Sequence, residues 1–302
     1  MLNPKNMRIF GTLLVVIGLV GSLATYRFVE KQETKTLEID HANFKSVEVI
    51  GHNAEVIVTQ TNEQQPSIQV SGYNLNKNFS SEVKNHTLWI KYEEKSKKFV
   101  NFGIGQNRVE IQVFLPKNQY EKILAEASSG IIHLSNLTAD AIHAKSNNGT
   151  IDLKNSQSNR LEMRANNGKI DVEQFTGETV ELAVDNGRLK IKDMFADAVN
   201  ASSKNGKIEL VEVGGTIKAQ SDNGKIHFIT KQLESPIDFT SKNGKIHIET
   251  MEEPKNIDLN AEAKNGSIKI YNEKISHQKF GAGEHQVNLQ SHNGRIIVET
   301  QS

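Results

Sequence analysis

From residue 117 onward one pattern of apolar and polar positions recurs along the chain. Its fixed point is a glycine, at Gly130, Gly149, Gly168, Gly187, Gly206, Gly224, Gly244, Gly266 and Gly294. Asparagine precedes it in all but the first. The spacings are 19, 19, 19, 19, 18, 20, 22 and 28 residues. A near-constant period of this size marks a repeat architecture. Taking the glycine as zero, position −7 is apolar throughout, from Ile123 to Val287. So is position +2, from Ile132 to Ile296, and position +4, from Leu134 to Val298. Position −3 holds only Ala, Ser and one Val (Val184), as a narrow corner requires.

Two architectures produce such a pattern. Asn-Gly favours a tight hairpin, because both residues tolerate positive φ. A hairpin would pair −3 with +2, −5 with +4 and −7 with +6. The third pair fails, since Asn136, Asn155, Gln174, Asp193 and Glu212 would face apolar partners. A solenoid instead stacks equal positions from coil to coil, giving columns of like residues, and columns are what the chain contains. A single coil cannot bury its own apolar edge, so neighbours must stack. Residues 117–302 are therefore expected to form a parallel β-solenoid of nine coils of about 19 residues, spaced about 4.8 Å and roughly 40 Å long. Each coil has a strand on either side of the glycine corner and a looser third side, with positive φ expected at the corner.

Residues 36–116 are strand-rich and continuous with the solenoid. "FKSVEVIGHNAEVIVTQ", "HTLWIKY" and "RVEIQVFLP" alternate or run β-branched. "EEKSKKFVNFGIGQN" reads as a loop, and no long amphipathic helix follows residue 30. Upstream, Ile9 to Tyr26 is an uncharged apolar run whose helix would rise about 27 Å, enough to span a bilayer core. Lys5 and Arg8 precede it, which favours an amino terminus inside and the rest outside. The expected layout is a membrane anchor at 1–28, a linker at 29–35, and the β region beyond. The alternative is a cleaved signal peptide ending near Ser22–Ala24. Either way the bulk of the chain is exported.

Composition narrows the chemistry. The 36 basic and 36 acidic residues cancel, so no overall field recruits nucleic acid. No cysteine is present, which excludes disulfides, thiolate metal sites and cysteine nucleophiles. Local features remain. Position +1 holds Lys169, Arg188, Lys207, Lys225 and Lys245, then Ser267, then Arg295. These form a basic ladder, interrupted in sequence order by the serine, that could bind a polyanion or simply keep the corner solvated. Asp152 and Asp171 share column +3 in adjacent coils and could lie about 5 Å apart, the separation of a retaining glycosidase pair. Lysine continues that column and no aromatic platform accompanies it, so a solvated polar face is the expected reading. His227 and His247 also share column +3, but two ligands without a third do not close a metal site, and no metal or cofactor is expected. "GAGE", Gly281 to Glu284, lacks a full phosphate-cradling pattern and reads as a loop. The last coil, "NGRIIVETQS", is expected to end the stack. Its edge is either covered by residues 272–286 folding back, or open for docking.

The S-x-N-G-K-I-x-I units, the preceding "VEIQVFLP" strand and the single amino-terminal apolar segment resemble the bacterial putative-adhesin family of unknown function. That family includes the LiaG-like proteins of envelope-stress operons. The resemblance covers about residues 36 to 302. It implies an exported β-solenoid associated with the cell envelope and supplies no catalytic residues. The expected function is a single-pass, membrane-anchored extracytoplasmic binding module, contacting anionic wall polymer, lipid headgroups or another envelope protein. The alternatives are a passive scaffold and an envelope-polysaccharide enzyme.

Overall fold

A computed structural model of the protein describes residues 33–39, 44–72, 75–93 and 109–301. The apolar run Ile9–Tyr26 and most of the 93–107 loop lie outside them. Among the described residues no helix is long and apolar enough to cross a membrane. The described residues are all-β apart from one turn of helix, α1 (Leu75–Asn78). The first strands are β1 (Glu33–Glu38), β2 (Ser46–Gly51), β3 (Ala54–Thr61), β4 (Ser67–Gly72), β5 (Phe79–Lys84), β6 (Thr87–Tyr92) and β7 (Val109–Pro116). The repeats begin at β8 (Tyr120–Ser135) and β9 (Thr138–Asn223). They continue through β10 (Ile226–Thr230), β11 (Ile237–Ser241), β12 (Ile246–Thr250), β13 (Ile257–Ala263), β14 (Ile268–Ile270), β15 (His277–Lys279), β16 (His285–Ser291) and β17 (Ile296–Thr300).

The columns form in register. Ile123 pairs with Ile142, Gly130 with Gly149 and Ile132 with Ile151, all parallel. Farther along, Ile208, Ile226 and Ile246 pair in turn. The apolar positions at −7, +2 and +4 point inward and are buried in every coil, except Ile268, which is half-buried. Each fully buried Ile, Leu or Val side chain contributes roughly 1.5–3 kcal/mol. The third side is more regular than expected. Strand runs unbroken from Thr138 to Asn223, and Leu137, Ala139, Phe175, Met194 and Ala196 are buried along it.

The corner glycines are needed for closeness more than for torsion. Only Gly130, Gly168 and Gly187 among them have positive φ, at 143°, 158° and 145°. At Gly206 the φ is ordinary, but a Cβ would stand 1.8 Å from the carbonyl oxygen of Gly187. The same 1.8 Å approach recurs at Gly149, Gly168, Gly187, Gly224, Gly244 and Gly266. Positive φ instead falls at position +6, on Asn136, Asn155, Gln174, Asp193 and Glu212, between 48° and 57°. These are the polar residues that a hairpin could not accommodate. They turn the chain out of the post-corner strand, and polar side chains there face solvent.

The order of coils departs from chain order at both ends. β17 pairs with β12 on one side and β14 on the other. Likewise β16 lies between β11 and β13. The last coil in sequence is therefore the second-last in space, inserted between the coils of Gly244 and Gly266. The expectation that it ends the stack is corrected. The coil of Gly266 ends the stack, and β15 covers part of it, pairing antiparallel with β13. The 28-residue spacing is the length needed to go out, cover β13 and return. The amino-terminal end has the same plan. β2 and β3 form a coil stacked on β8, while β6 and β7 form a further coil outside it. Antiparallel β5 and β4 then border β6 and β7, and β1 borders β4.

Candidate functional site

The strand after each corner alternates inward positions +2 and +4 with outward positions +1, +3 and +5. Stacking turns the outward positions into three parallel columns on one broad face.

Column +1 carries the basic ladder. The inserted coil changes its continuity. The Ile246 amide donates to the Arg295 carbonyl at 2.9 Å, and the Ile296 amide donates to the Ser267 carbonyl at 2.9 Å. Arg295 thus follows Lys245 directly, and Ser267 lies beyond both. In space Lys169, Arg188, Lys207, Lys225, Lys245 and Arg295 are six consecutive rungs.

The two halves of the ladder differ electrostatically. Lys169 is ion-paired with Asp171. Arg188 reaches Glu209 at 3.2 Å and Lys207 pairs with the same carboxylate. Burial would raise the Glu209 pKa, but Lys207, Arg188 and Lys190 outweigh it and hold the carboxyl below its ordinary value. Among the described residues, Lys225, Lys245 and Arg295 have no acidic partner within 4.0 Å. Burial lowers the pKa of Lys225 from its usual value, and Lys245 and Lys207 lower it further, against weaker support from Glu249 and Glu209.

Asp152 and Asp171 are brought together as their shared column requires, in a shallow depression also lined by Lys154, Lys169, Glu173, Lys190 and Lys192. Burial raises the Asp152 pKa and Asp171 adds to this, while His133, 3.2 Å away, opposes it. Asp171 is occupied by Lys169. No aromatic ring lines the depression, so nothing there would stack a sugar.

The histidines are better supplied than the sequence indicates. His227 and His247 pair across β10 and β12, with rings stacked at 5.0 Å and 7°. Glu249, two residues beyond His247 on the same face, places Oε1 2.6 Å from His227 Nε2. Glu299, on the inserted β17, places Oε1 2.7 Å from His247 Nε2. Burial is the main influence holding the His227 pKa below its ordinary value. Glu249 was recoverable from its +5 position. Glu299 was not, because its coil is separated from that of Gly244 by another coil in sequence. "GAGE" forms the turn from β15 to β16, where the Glu284 amide donates to Asn256 Oδ1 at 3.1 Å.

A second unexpected feature runs beside the corner. From Asn167 onward, the Asn of each Asn-Gly donates its side-chain amide to the Asn side-chain oxygen of the neighbouring coil. The bonds run from Asn167 to Asn148, Asn186 to Asn167, Asn205 to Asn186, Asn223 to Asn205 and Asn243 to Asn223, at 2.8–2.9 Å. They continue in spatial order, Asn293 to Asn243 at 2.7 Å and Asn265 to Asn293 at 2.9 Å.

A family model described as Toastrack DUF4097 matches residues 44–299. No curated protein matches the chain. Among solved structures, a putative adhesin from Parabacteroides distasonis superposes with TM-score 0.54 at 14% identity, covering 89% of this chain and 98% of that one. A protein from the same organism, described as a putative lipid binding protein, gives 0.53 at 14% identity, covering 89% and 97%. A putative adhesin from Bacteroides fragilis gives 0.48 at 17% identity, covering 89% and 97%. At these identities the likeness is one of fold.

Proposed function

The chain belongs to the toastrack DUF4097 family, and on that premise we propose that it is an extracytoplasmic binding module of the bacterial cell envelope, anchored by Ile9–Tyr26, whose basic ladder engages phosphate-bearing polyanions. The observation that carries this reading is the unpaired end of the ladder. Lys225, Lys245 and Arg295 stand on consecutive rungs of a rigid face, with no acidic side chain within 4.0 Å of them among the described residues. A ladder serving only solubility would not gather like charges in register, where they repel. A ligand with repeated negative charge relieves that repulsion and gains from all three rungs at once.

Phosphate can come from a wall polymer or from a lipid headgroup, and the assay separates them. The full chain in detergent is titrated with a soluble polyphosphodiester, and in parallel with vesicles containing or lacking anionic phospholipid. Binding that weakens with salt is expected, falling at least about tenfold when Lys225, Lys245 and Arg295 are all changed to Gln. Equal binding by wild type and triple variant removes the ladder from the function. Absence of binding to any anionic partner leaves the module as a scaffold. The topology has its own check: protease added to intact protoplasts should digest the β region. Survival until lysis would place it on the other side.

A further inference from the structure

The histidine pair leaves a buried ring nitrogen beside a carboxylate with no hydrogen bond between them. A carboxylate accepts hydrogen bonds and donates none, and a neutral imidazole has only one N–H. His247 Nε2 faces Glu299 Oε1 at 2.7 Å, so the single proton of a neutral ring belongs there. Nδ1 is then a bare lone pair. It lies 3.0 Å from Glu249 Oε1, another acceptor. His247 is only 7% exposed, and its Nδ1 is buried without a hydrogen-bond partner. A buried acceptor nitrogen left unpaired beside a carboxylate is stabilised by a cation, either a proton on the ring or a metal ion. Glu249 Oε1 is at the same time 2.6 Å from His227 Nε2, so one carboxylate oxygen is the meeting point of two imidazoles.

We propose that this cluster is a binding site for a divalent transition metal of the zinc type, with His227 Nε2, His247 Nδ1 and Glu249 as its protein ligands. One donor atom from each of the three residues lies within 4.8 Å of the other two. Tetrahedral zinc bonds of about 2.0–2.1 Å place neighbouring ligand atoms roughly 3.3 Å apart, and the two stacked rings turn out of their parallel planes to aim both nitrogens at one ion. Two imidazole nitrogens with one carboxylate favour zinc and its neighbours over calcium or magnesium, which prefer all-oxygen sets. Glu299 has the supporting role: it holds the far nitrogen of His247, fixes the tautomer and turns Nδ1 toward the metal. Rigid strands supply the geometry. His247 and Glu249 project from one face of β12, and His227 sits level with His247 on β10. Three protein ligands leave one coordination position for water or for an anionic oxygen from a ligand.

The site also changes the charge beside the ladder. Glu249 and Glu299 stand in the same coils as Lys245 and Arg295, and a bound dication cancels their two negative charges.

The experiment uses the full chain, stripped with chelator and titrated with Zn²⁺ and with Co²⁺ alone. One equivalent should bind, and Co²⁺ should give the intense visible bands of a tetrahedral site. His247→Gln and Glu249→Gln should each weaken binding at least about a hundredfold, and Glu299→Gln about 10–100-fold. His133→Gln, whose ring lies in the same column but outside the cluster, should bind as wild type does. Far-ultraviolet circular dichroism establishes that each variant keeps its strands, and Zn²⁺ should raise the unfolding temperature of wild type but not of His247→Gln. If Co²⁺ produces no such bands, or His247→Gln binds Zn²⁺ as tightly as wild type, the balancing cation is a proton on His247 and the metal site is disproved.

Discussion

At the scale of single residues, the corner asks for two different things of adjacent side chains. Glycine is there because the next coil's backbone comes too close for a Cβ, and asparagine because its amide both gives and takes one hydrogen bond along the stack. Gly206→Ala should therefore cost at least about 3 kcal/mol, although alanine is at ease with the local torsion, because backbone must move against backbone. Asn205→Ala should cost about 1–2 kcal/mol, from one lost bond on either side. Urea unfolding midpoints give both values, and a Gly206→Ala cost below that of Asn205→Ala would refute the close-approach account. Lys225 works in the opposite direction. Its folded pKa lies below the unfolded value of 10.5, so its positive charge is held less well in the folded chain. The resulting penalty is full below the folded pKa and disappears as pH rises from there through 10.5. At pH 7 Lys225→Gln should consequently raise the unfolding midpoint, and the gain should vanish near pH 11. A lower midpoint at pH 7 would mean that the charge is compensated in the fold.

At the scale of elements, the columns were legible in the sequence because in-register stacking makes equal positions neighbours. Apolar residues at +2 and +4 and Ala, Ser or Val at −3 had to recur. The third side was less legible, since Phe175, Met194 and Ala196 are different solutions to the same inward position. The order of coils was obscured by the assumption that neighbours in sequence are neighbours in space. Even so, a signal was present. Ser291 and Arg295 continue the serine and basic columns of Ser241 and Lys245, whereas Ala263 and Ser267 break both. Side-chain chemistry at the corner had placed the last coil correctly where chain order had not. The same misplacement hid Glu299 from His247. A testable result follows for the strands themselves. Deleting residues 285–302 should cost the protein two coils rather than one, because β13 and β14 lose the partners β16 and β17 that join them to the stack. Amide exchange should then show Ile257–Ile270 unprotected in the shortened chain. Retained protection there would mean that β13 and β14 can dock directly on β11 and β12.

At the scale of the whole molecule, a rod of parallel coils is bordered at both ends by antiparallel strands, with the basic and histidine columns along one side. Stability in such an array is close to a sum over neighbouring coils. The covered ends limit edge-to-edge joining of copies, so the full chain should not grow into filaments. Light scattering checks this at rising concentration, and growth that depends on protein concentration would show an end open for pairing. The inserted last coil also sets a timetable. During synthesis, residues 257–270 leave the ribosome before the coil on which they must rest, and they have no seat until residues 285–300 arrive. The far end of the rod is consequently assembled backwards, the final segment first and its predecessor after it. A chain whose translation stops before residue 285 would carry an unfinished slot, recognisable to quality-control proteases, which the arrival of residues 285–300 fills.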